Sequence, residues 1–122
     1  MSSEPLIAVI DDDEPFRTAL VESLCSLGFR ARGFASAEEF LASSEENSCA
    51  CVITDIHMPG MSGLDLQRQL MARDWQVPVI MITARGEPGL EARVEASGAI
   101  CLLKKPFGAD ALVGCLEKAL EI

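Results

Sequence analysis

Short runs of almost wholly apolar residues recur along this chain, at Leu6 to Ile10, Ala50 to Thr54 and Val77 to Thr83, each ended by a polar or acidic residue. Their length and their Val and Ile content predict strands buried on both faces. A fourth run, Ala99 to Leu103, stops at Lys104, Lys105 and Pro106. Phe29 to Phe34 differs, because it alternates. It sets Arg30 and Arg32 opposite Phe29 and Ala31, the pattern of a half-exposed edge strand.

Between the runs lie segments of helical periodicity with chemically marked ends. Pro15 stands where a first turn begins, Phe16, Leu20, Leu24 and Leu27 follow at spacings of four, four and three, and Gly28 closes the segment. Ser36 with Glu39, and Ser62 with Asp65, have the spacing of capping boxes, so two more helices start near those serines. Leu90 and Val94 predict a short fourth helix after the turn Gly86-Glu87-Pro88-Gly89. Ala111, Leu112, Cys115, Leu116, Ala119 and Leu120 predict a fifth. Five strand-helix units in strict alternation imply right-handed crossovers and a parallel sheet covered by helices on both faces. The common open arrangement at this length, that of flavodoxin, has strand order 2-1-3-4-5, which puts the alternating second strand at an edge. No linker or repeat interrupts the pattern, so residues 1–122 read as one domain. A chain of 122 residues hides roughly 65% of its unfolded surface, enough for a core without metal or disulfide staples.

Composition narrows the function classes. Nineteen acidic side chains stand against ten basic ones, a formal charge of −9. That argues against direct binding of nucleic acid, whose phosphates select clustered Lys and Arg. A basic partner, a cation or plain solubility remain open. A charged fraction of 24% with positive mean hydropathy excludes a disordered chain. Five Cys, at 25, 49, 51, 101 and 115, form no framework of a secreted scaffold and read as reduced, mostly buried structural thiols. Cys49 and Cys51 would point to one face of a strand, and the single His57 leaves few soft ligands for zinc. Met1 to Pro5 carry an acid and no long apolar run. No segment reaches the ~20 apolar residues that span a bilayer, so the cytoplasm is the expected compartment.

In an open parallel sheet ligands bind at the carboxyl ends of the strands, beside the switch point between strands one and three. Strand one ends in Asp11, Asp12 and Asp13, strand three in Asp55, strand four in Thr83 with Ala84, and strand five in Lys105 before Pro106. The order 2-1-3-4-5 crowds Asp11, Asp12 and Asp55 into one crevice, where like charges raise one another's pKa unless a cation is near. Carboxylates without imidazole make a hard, oxygen-rich site suited to Mg²⁺ or Mn²⁺. Lys105 adds a fixed positive charge. Metal, Lys, hydroxyl and carboxylate, with no base-and-nucleophile triad, meet the needs of phosphoryl transfer, in which positioning and charge neutralisation dominate. Asp13, just before Pro15, reads equally as a turn former or helix N-cap.

The residues that carry this cluster resemble the receiver domain of two-component response regulators, in particular the FixJ-like transcriptional regulators. The resemblance spans nearly the whole chain: I-D-D-D-E-P-F-R, then T-D-I-H-M-P-G-M-S-G from Thr54 to Gly63, V-I-M-I-T-A-R from Val79 and K-K-P-F from Lys104. It implies a flavodoxin/CheY-like (βα)5 sandwich that takes a phosphoryl group from a phosphohistidine on a sensor histidine kinase, itself supplying most catalytic groups, and then switches conformation. By resemblance Asp55 is the phosphoryl acceptor. Asp12 is the direct Mg²⁺ ligand, Asp11 acts through metal-bound water, and the backbone carbonyl of His57 is a further ligand. Thr83 is the switch hydroxyl, Lys105 pairs with the phosphoryl group, and small Ala84 leaves the acceptor accessible. The kinase would meet the first helix near Pro15 and Phe16 and the loop at Pro106 and Phe107, although core packing explains both Phe equally well. His57 and Arg85 flank the site, either tuning the lifetime of the phosphorylated state or lying as solvated loop side chains. Receivers of this type usually precede a DNA-binding effector, and phosphorylation can dimerise them. The chain is then either a receiver fragment or a receiver that acts alone.

One position departs from the family. Leu102 stands where an aromatic switch, Tyr or Phe, is usual, three residues before Lys105. Leu offers neither ring nor hydroxyl, so phosphorylation is expected to act chiefly through the Arg85 to Gly89 loop. A haloacid-dehalogenase-like phosphatase is the enzyme alternative, because Asp11 and Asp13 spell its D-x-D, but it leaves Asp55 unexplained. A flavodoxin-like cofactor domain fits poorly with an acidic turn after strand one. A degenerate receiver serving only as an interaction surface fits poorly with the intact Asp, Thr and Lys set. The remaining acids, including Glu38, Glu39, Glu45 and Glu46, read as solvated surface.

Overall fold

The computed structural model describes residues 5–43 and 49–121; Glu45 and Glu46 lie outside these residues. Five strands, β1 (Leu6–Ile10), β2 (Arg30–Phe34), β3 (Cys51–Asp55), β4 (Val79–Thr83) and β5 (Cys101–Lys104), alternate with five helices. These are α1 (Glu14–Ser26), α2 (Ala37–Ala42), α3 (Gly63–Ala72), α4 (Leu90–Ala96) and α5 (Ala109–Leu120). The sheet order is β2-β1-β3-β4-β5, and each neighbouring pair is parallel. Both the alternation and the order agree with the expectation from sequence.

Strand pleating divides the core into two layers. Ala8, Ile10, Val52 and Met81 pack with Phe40 of α2, Leu66 and Leu70 of α3 and Val94 of α4. Their chain neighbours Ile7, Val9, Ile53, Ile80 and Ile82 turn to the other face, against Leu20 and Leu24 of α1 and Leu112 and Leu116 of α5. β1, β3 and β4 are buried along their whole length, which is why they read as continuous apolar runs. β2 exposes Arg30 and Arg32, as its alternation required.

Several details differ from the sequence reading. β4 begins at Val79, two residues into its apolar run, because Pro78 has no N–H for the ladder, although its carbonyl still accepts from Val52 at 3.0 Å. β5 begins at Cys101, after Gly98 turns the chain at φ +91°. Leu27 belongs to the apolar spacing of α1 yet is 45% exposed, because it caps the helix just before Gly28, at φ +96°, turns the chain. Ala111 faces solvent on α5. Cys49, Cys51 and Cys115 are buried, Cys101 is half-buried, and Cys25 is exposed on the outer face of α1. Cys49 and Cys51 do not share a face: Cys49 precedes the strand and joins the α2–α3–α4 layer, whereas Cys51 joins the α1–α5 layer. Burial, the chief cause, pushes the Cys51 and Cys115 thiols up to about 12, which suits packing and not reactivity.

Candidate phosphoryl-acceptor site

The carboxyl ends of β1 and β3 are neighbours at the switch point, and Lys105, just past the end of β5 on the far side of β4, reaches across to them. Asp11, 1% exposed, and Asp55, 5% exposed, lie in the crevice, while Asp12 is exposed at its rim. Carboxylate oxygens of the three lie within 4.8 Å of one another. Lys105 Nζ donates to Asp11 Oδ2 at 2.9 Å and to Asp55 Oδ2 at 3.0 Å. Residues 11, 55 and 105 are far apart in the chain, and the strand order brings them together. The donor set is hard oxygen, and two buried carboxylates share one ammonium, so the residues fit a small divalent cation.

Electrostatics follow from this crowding. Burial is the largest influence on Asp11 and raises its pKa; the charge of Asp55 adds to the rise, against the Asp13 amide and Lys105. For Lys105 burial works downward, but hydrogen bonds to Asp11 and Asp55 and their charges prevail, so its pKa is raised. The ammonium also lies 4.0 Å from the Phe16 ring centroid, a cation–π contact. Phe16 meets Phe107 edge-on at 6.0 Å. Both rings are half-buried, Phe16 against Lys105 and Phe107 against Phe16.

Local structure holds the loops in place. Asp13 caps α1, its Oδ1 accepting from Phe16 N at 3.2 Å, with Pro15 exposed in the first turn. This use of Asp13 supports the cap and weighs against a D-x-D catalytic pair. His57 N donates to Asp55 Oδ1 at 2.9 Å. His57 Nε2, buried, lies 3.4 Å from Glu87 Oε1, an ion-pair distance without hydrogen-bond alignment. Ser62 and Asp65 form a complete capping box, and the Ser62 N–H, with the Ser62 hydroxyl, holds the Asp65 carboxyl below the usual range.

The switch positions sit apart from this cluster. Thr83 ends β4 and is buried, but Oγ1 donates to Arg85 O at 2.7 Å and accepts from Arg85 N at 3.1 Å. The hydroxyl is therefore engaged with the β4–α4 loop and not with Asp55. Ala84 is exposed beside it. Leu102 is half-buried and, with Thr83, Leu90 and Val94, lines a cavity of about 420 Å³ between α4 and β5.

Three contributors escaped the sequence reading. Arg17 Nη1 donates to Asp11 O at 2.8 Å and so ties α1 to the end of β1. A Cβ on Gly63 would stand 2.5 Å from Asp55 O, so only Gly lets α3 start against the backbone of Asp55. Glu38, expected to be merely solvated, accepts from Met61 N at 3.0 Å. A Gly at a helix's first position, where it weakens the helix, was the one available signal, at Gly63. The other two contacts depend on distances that no spacing encodes.

The family model for the response regulator receiver domain matches residues 7–117. The response regulator protein TmoT of Ectopseudomonas mendocina is 37% identical over 119 residues, covering 98% of this chain and 54% of TmoT. The C4-dicarboxylate transport transcriptional regulatory protein DctD of Rhizobium meliloti is 40% identical over 121 residues, covering 99% of this chain and 26% of DctD. The crystal structure of FixJ-N superposes with a TM-score of 0.87 at 30% identity, covering 98% of this chain and 96% of that one. The chain thus spans about half the length of TmoT and about a quarter of DctD.

Proposed function

Because the chain belongs to the response regulator receiver domain family, we propose that its phospho-accepting residue is Asp55 and that its residues 1–122 act as one receiver unit. The observation that carries this reading is Lys105 Nζ shared between Asp11 and Asp55 at 2.9 and 3.0 Å, with the Asp12 carboxylate in the same cluster.

An Asp55 carboxylate oxygen attacks the phosphorus of a phosphohistidine on a sensor histidine kinase; a P–O bond forms, the P–N bond breaks, and the imidazole leaves. Asp11, Asp12, Asp55 and the His57 carbonyl would hold Mg²⁺ (or Mn²⁺), which when bound neutralises charge on the acceptor and the phosphoryl oxygens. Lys105 then exchanges its Asp55 contact for a phosphoryl oxygen. The phosphoryl group brings roughly −1.5 to −2 charge and three acceptor oxygens, which compete for the Thr83 hydroxyl. To answer, Thr83 gives up its two bonds to Arg85 and frees the loop through Gly89. Among the described residues no helix is long and apolar enough to cross a membrane, in keeping with a cytoplasmic switch. The exposed cleft formed by Phe16, Leu20, Leu27, Pro106 and Phe107 suits the apolar face of a kinase helix. An output domain beyond these residues, with dimerisation on phosphorylation, would carry the signal onward.

The match over residues 7–117 does not favour the phosphatase, flavin-binding or degenerate-receiver alternatives. Intact-mass measurement after incubation with acetyl phosphate and Mg²⁺ tests the acceptor. One phosphoryl adduct is expected on the wild type and none on Asp55→Asn. An equal adduct on the variant would remove Asp55 from the role.

A further inference from the structure

We propose that Glu38 is a positioning residue for the metal side of this site, acting as a clamp from α2 on the β3–α3 loop. The inference rests on the reading above, in which the His57 carbonyl of that loop is a metal ligand.

Glu38 is firmly placed by its neighbours. Ser36 Oγ accepts from Glu39 N at 3.0 Å and starts the helix, and Ala37 and Phe40, on either side of Glu38, are fully buried. Phe40 is packed between Phe34, at 5.3 Å, and Trp75, at 6.0 Å. A helix of six residues rooted this way holds its exposed carboxylate at a fixed point. From there Oε2 accepts from Met61 N at 3.0 Å, across 23 residues of chain.

Gly60 completes the clamp. It turns the loop at φ +77°, a conformation that L side chains rarely adopt, and a Cβ there would stand 2.7 Å from Glu38 Oε2. The turn itself favours Gly here, and it places the loop directly against the Glu38 carboxylate. The loop is also fixed near its two ends, by His57 N on Asp55 Oδ1 at 2.9 Å and by Gly63 N on Ile56 O at 3.0 Å. Met58 to Met61 span the interval, stiffened by Pro59. Met58 and Met61 pack against the core layer that includes Ala37 and Phe40 of α2, and the Glu38 hydrogen bond fixes the backbone of this interval to that helix. The carboxylates clustered within 4.8 Å are Asp11, Asp12 and Asp55; Glu38 stands outside them, so it acts through the loop backbone.

The test separates position from charge. Mg²⁺ affinity is measured by calorimetry on the wild type, Glu38→Ala and Glu38→Gln, with amide exchange at Met61 read in the metal-free proteins. Glu38→Ala is expected to weaken Mg²⁺ binding roughly three- to tenfold, at or below the lower edge of effects from groups that hold metal ligands, and to speed exchange at Met61. Glu38→Gln keeps an accepting oxygen and is expected to retain most of both. Equal Mg²⁺ affinity in the wild type and Glu38→Ala overturns the inference and leaves the metal site standing. A loss in Glu38→Gln as large as in Glu38→Ala also overturns it, since charge and not position would then be at work. No Mg²⁺ binding by the wild type overturns the metal reading itself, and this inference with it.

Discussion

The two loops that flank Asp55 are built on opposite plans. The β3–α3 loop is fastened along its length: to Asp55 through His57 N, to α2 through Met61, to its own start through Gly63 N, and to α3 through the Ser62–Asp65 capping box. The β4–α4 loop exposes every residue from Ala84 to Gly89 and is held by Thr83 Oγ1, a turn bond from Leu90 N to Glu87 O and the His57–Glu87 pair. Beside it lies the cavity of about 420 Å³ that Leu102 helps to line. A phosphoryl acceptor needs both plans, a rigid side to fix the acceptor and its metal ligands and a loose side whose bonds the new charge can capture. Few contacts and exposed hydrogen bonds mark the segment that opens at low cost.

Substitutions on the two sides should differ in kind. The largest effect is expected at the rigid side: Gly63→Ala pushes a Cβ to 2.5 Å from Asp55 O and should cost about 3 kcal/mol, as overpacking against a backbone does, read from urea denaturation midpoints. Lys105→Ala leaves two buried carboxylates without their ammonium donor, each keeping one backbone N–H, and should cost about 2 kcal/mol without metal, as lost hydrogen bonds to charged groups do, part of it restored by Mg²⁺. Because the Lys105 pKa is raised in the fold, its contribution is fully present below the ordinary lysine value and is lost as pH climbs through the raised one. Asp11 has the opposite consequence. An acid whose pKa is raised binds its proton more tightly in the native state, so its share of stability falls as pH rises from the ordinary carboxylate value through the raised one. Mg²⁺ should offset that fall, and its gain in Tm should grow as pH rises from the ordinary carboxylate value through the raised Asp11 value. The smallest effect belongs to the loose side. Thr83→Ala removes two hydrogen bonds to Arg85 and should cost about 1 kcal/mol, with faster amide exchange confined to residues 84–90.

Much of this was readable in the residues because strand ends are a one-dimensional signal. Asp11, Asp55, Thr83 and Lys105 each follow or close an apolar run, and an alternating chain has few sheet orders open to it. Arg17 and Gly63 stand in the motifs that carry the resemblance, but their roles, like that of Glu38, are contacts that only the packed helices define. Leu27 differs from its expected burial for a related reason: helical spacing names a face, but the face stops being covered where the helix ends. The Thr83 hydroxyl was assigned to the phosphoryl group, and the fold shows it engaged with Arg85. The resemblance names Thr83 as the switch hydroxyl, and the arrangement from which it would depart is visible only in the fold.

The central claim is that a phosphoryl group on Asp55 is read by the β4–α4 loop while the β3–α3 loop stays fixed. Amide hydrogen exchange with Mg²⁺ alone and with Mg²⁺ plus beryllofluoride, a phosphoryl mimic, tests it most directly. The largest change in protection is expected between Thr83 and Leu90, with little change from His57 to Gly63. An unchanged Thr83 to Leu90 segment, or a change centred on His57 to Gly63, would contradict the account.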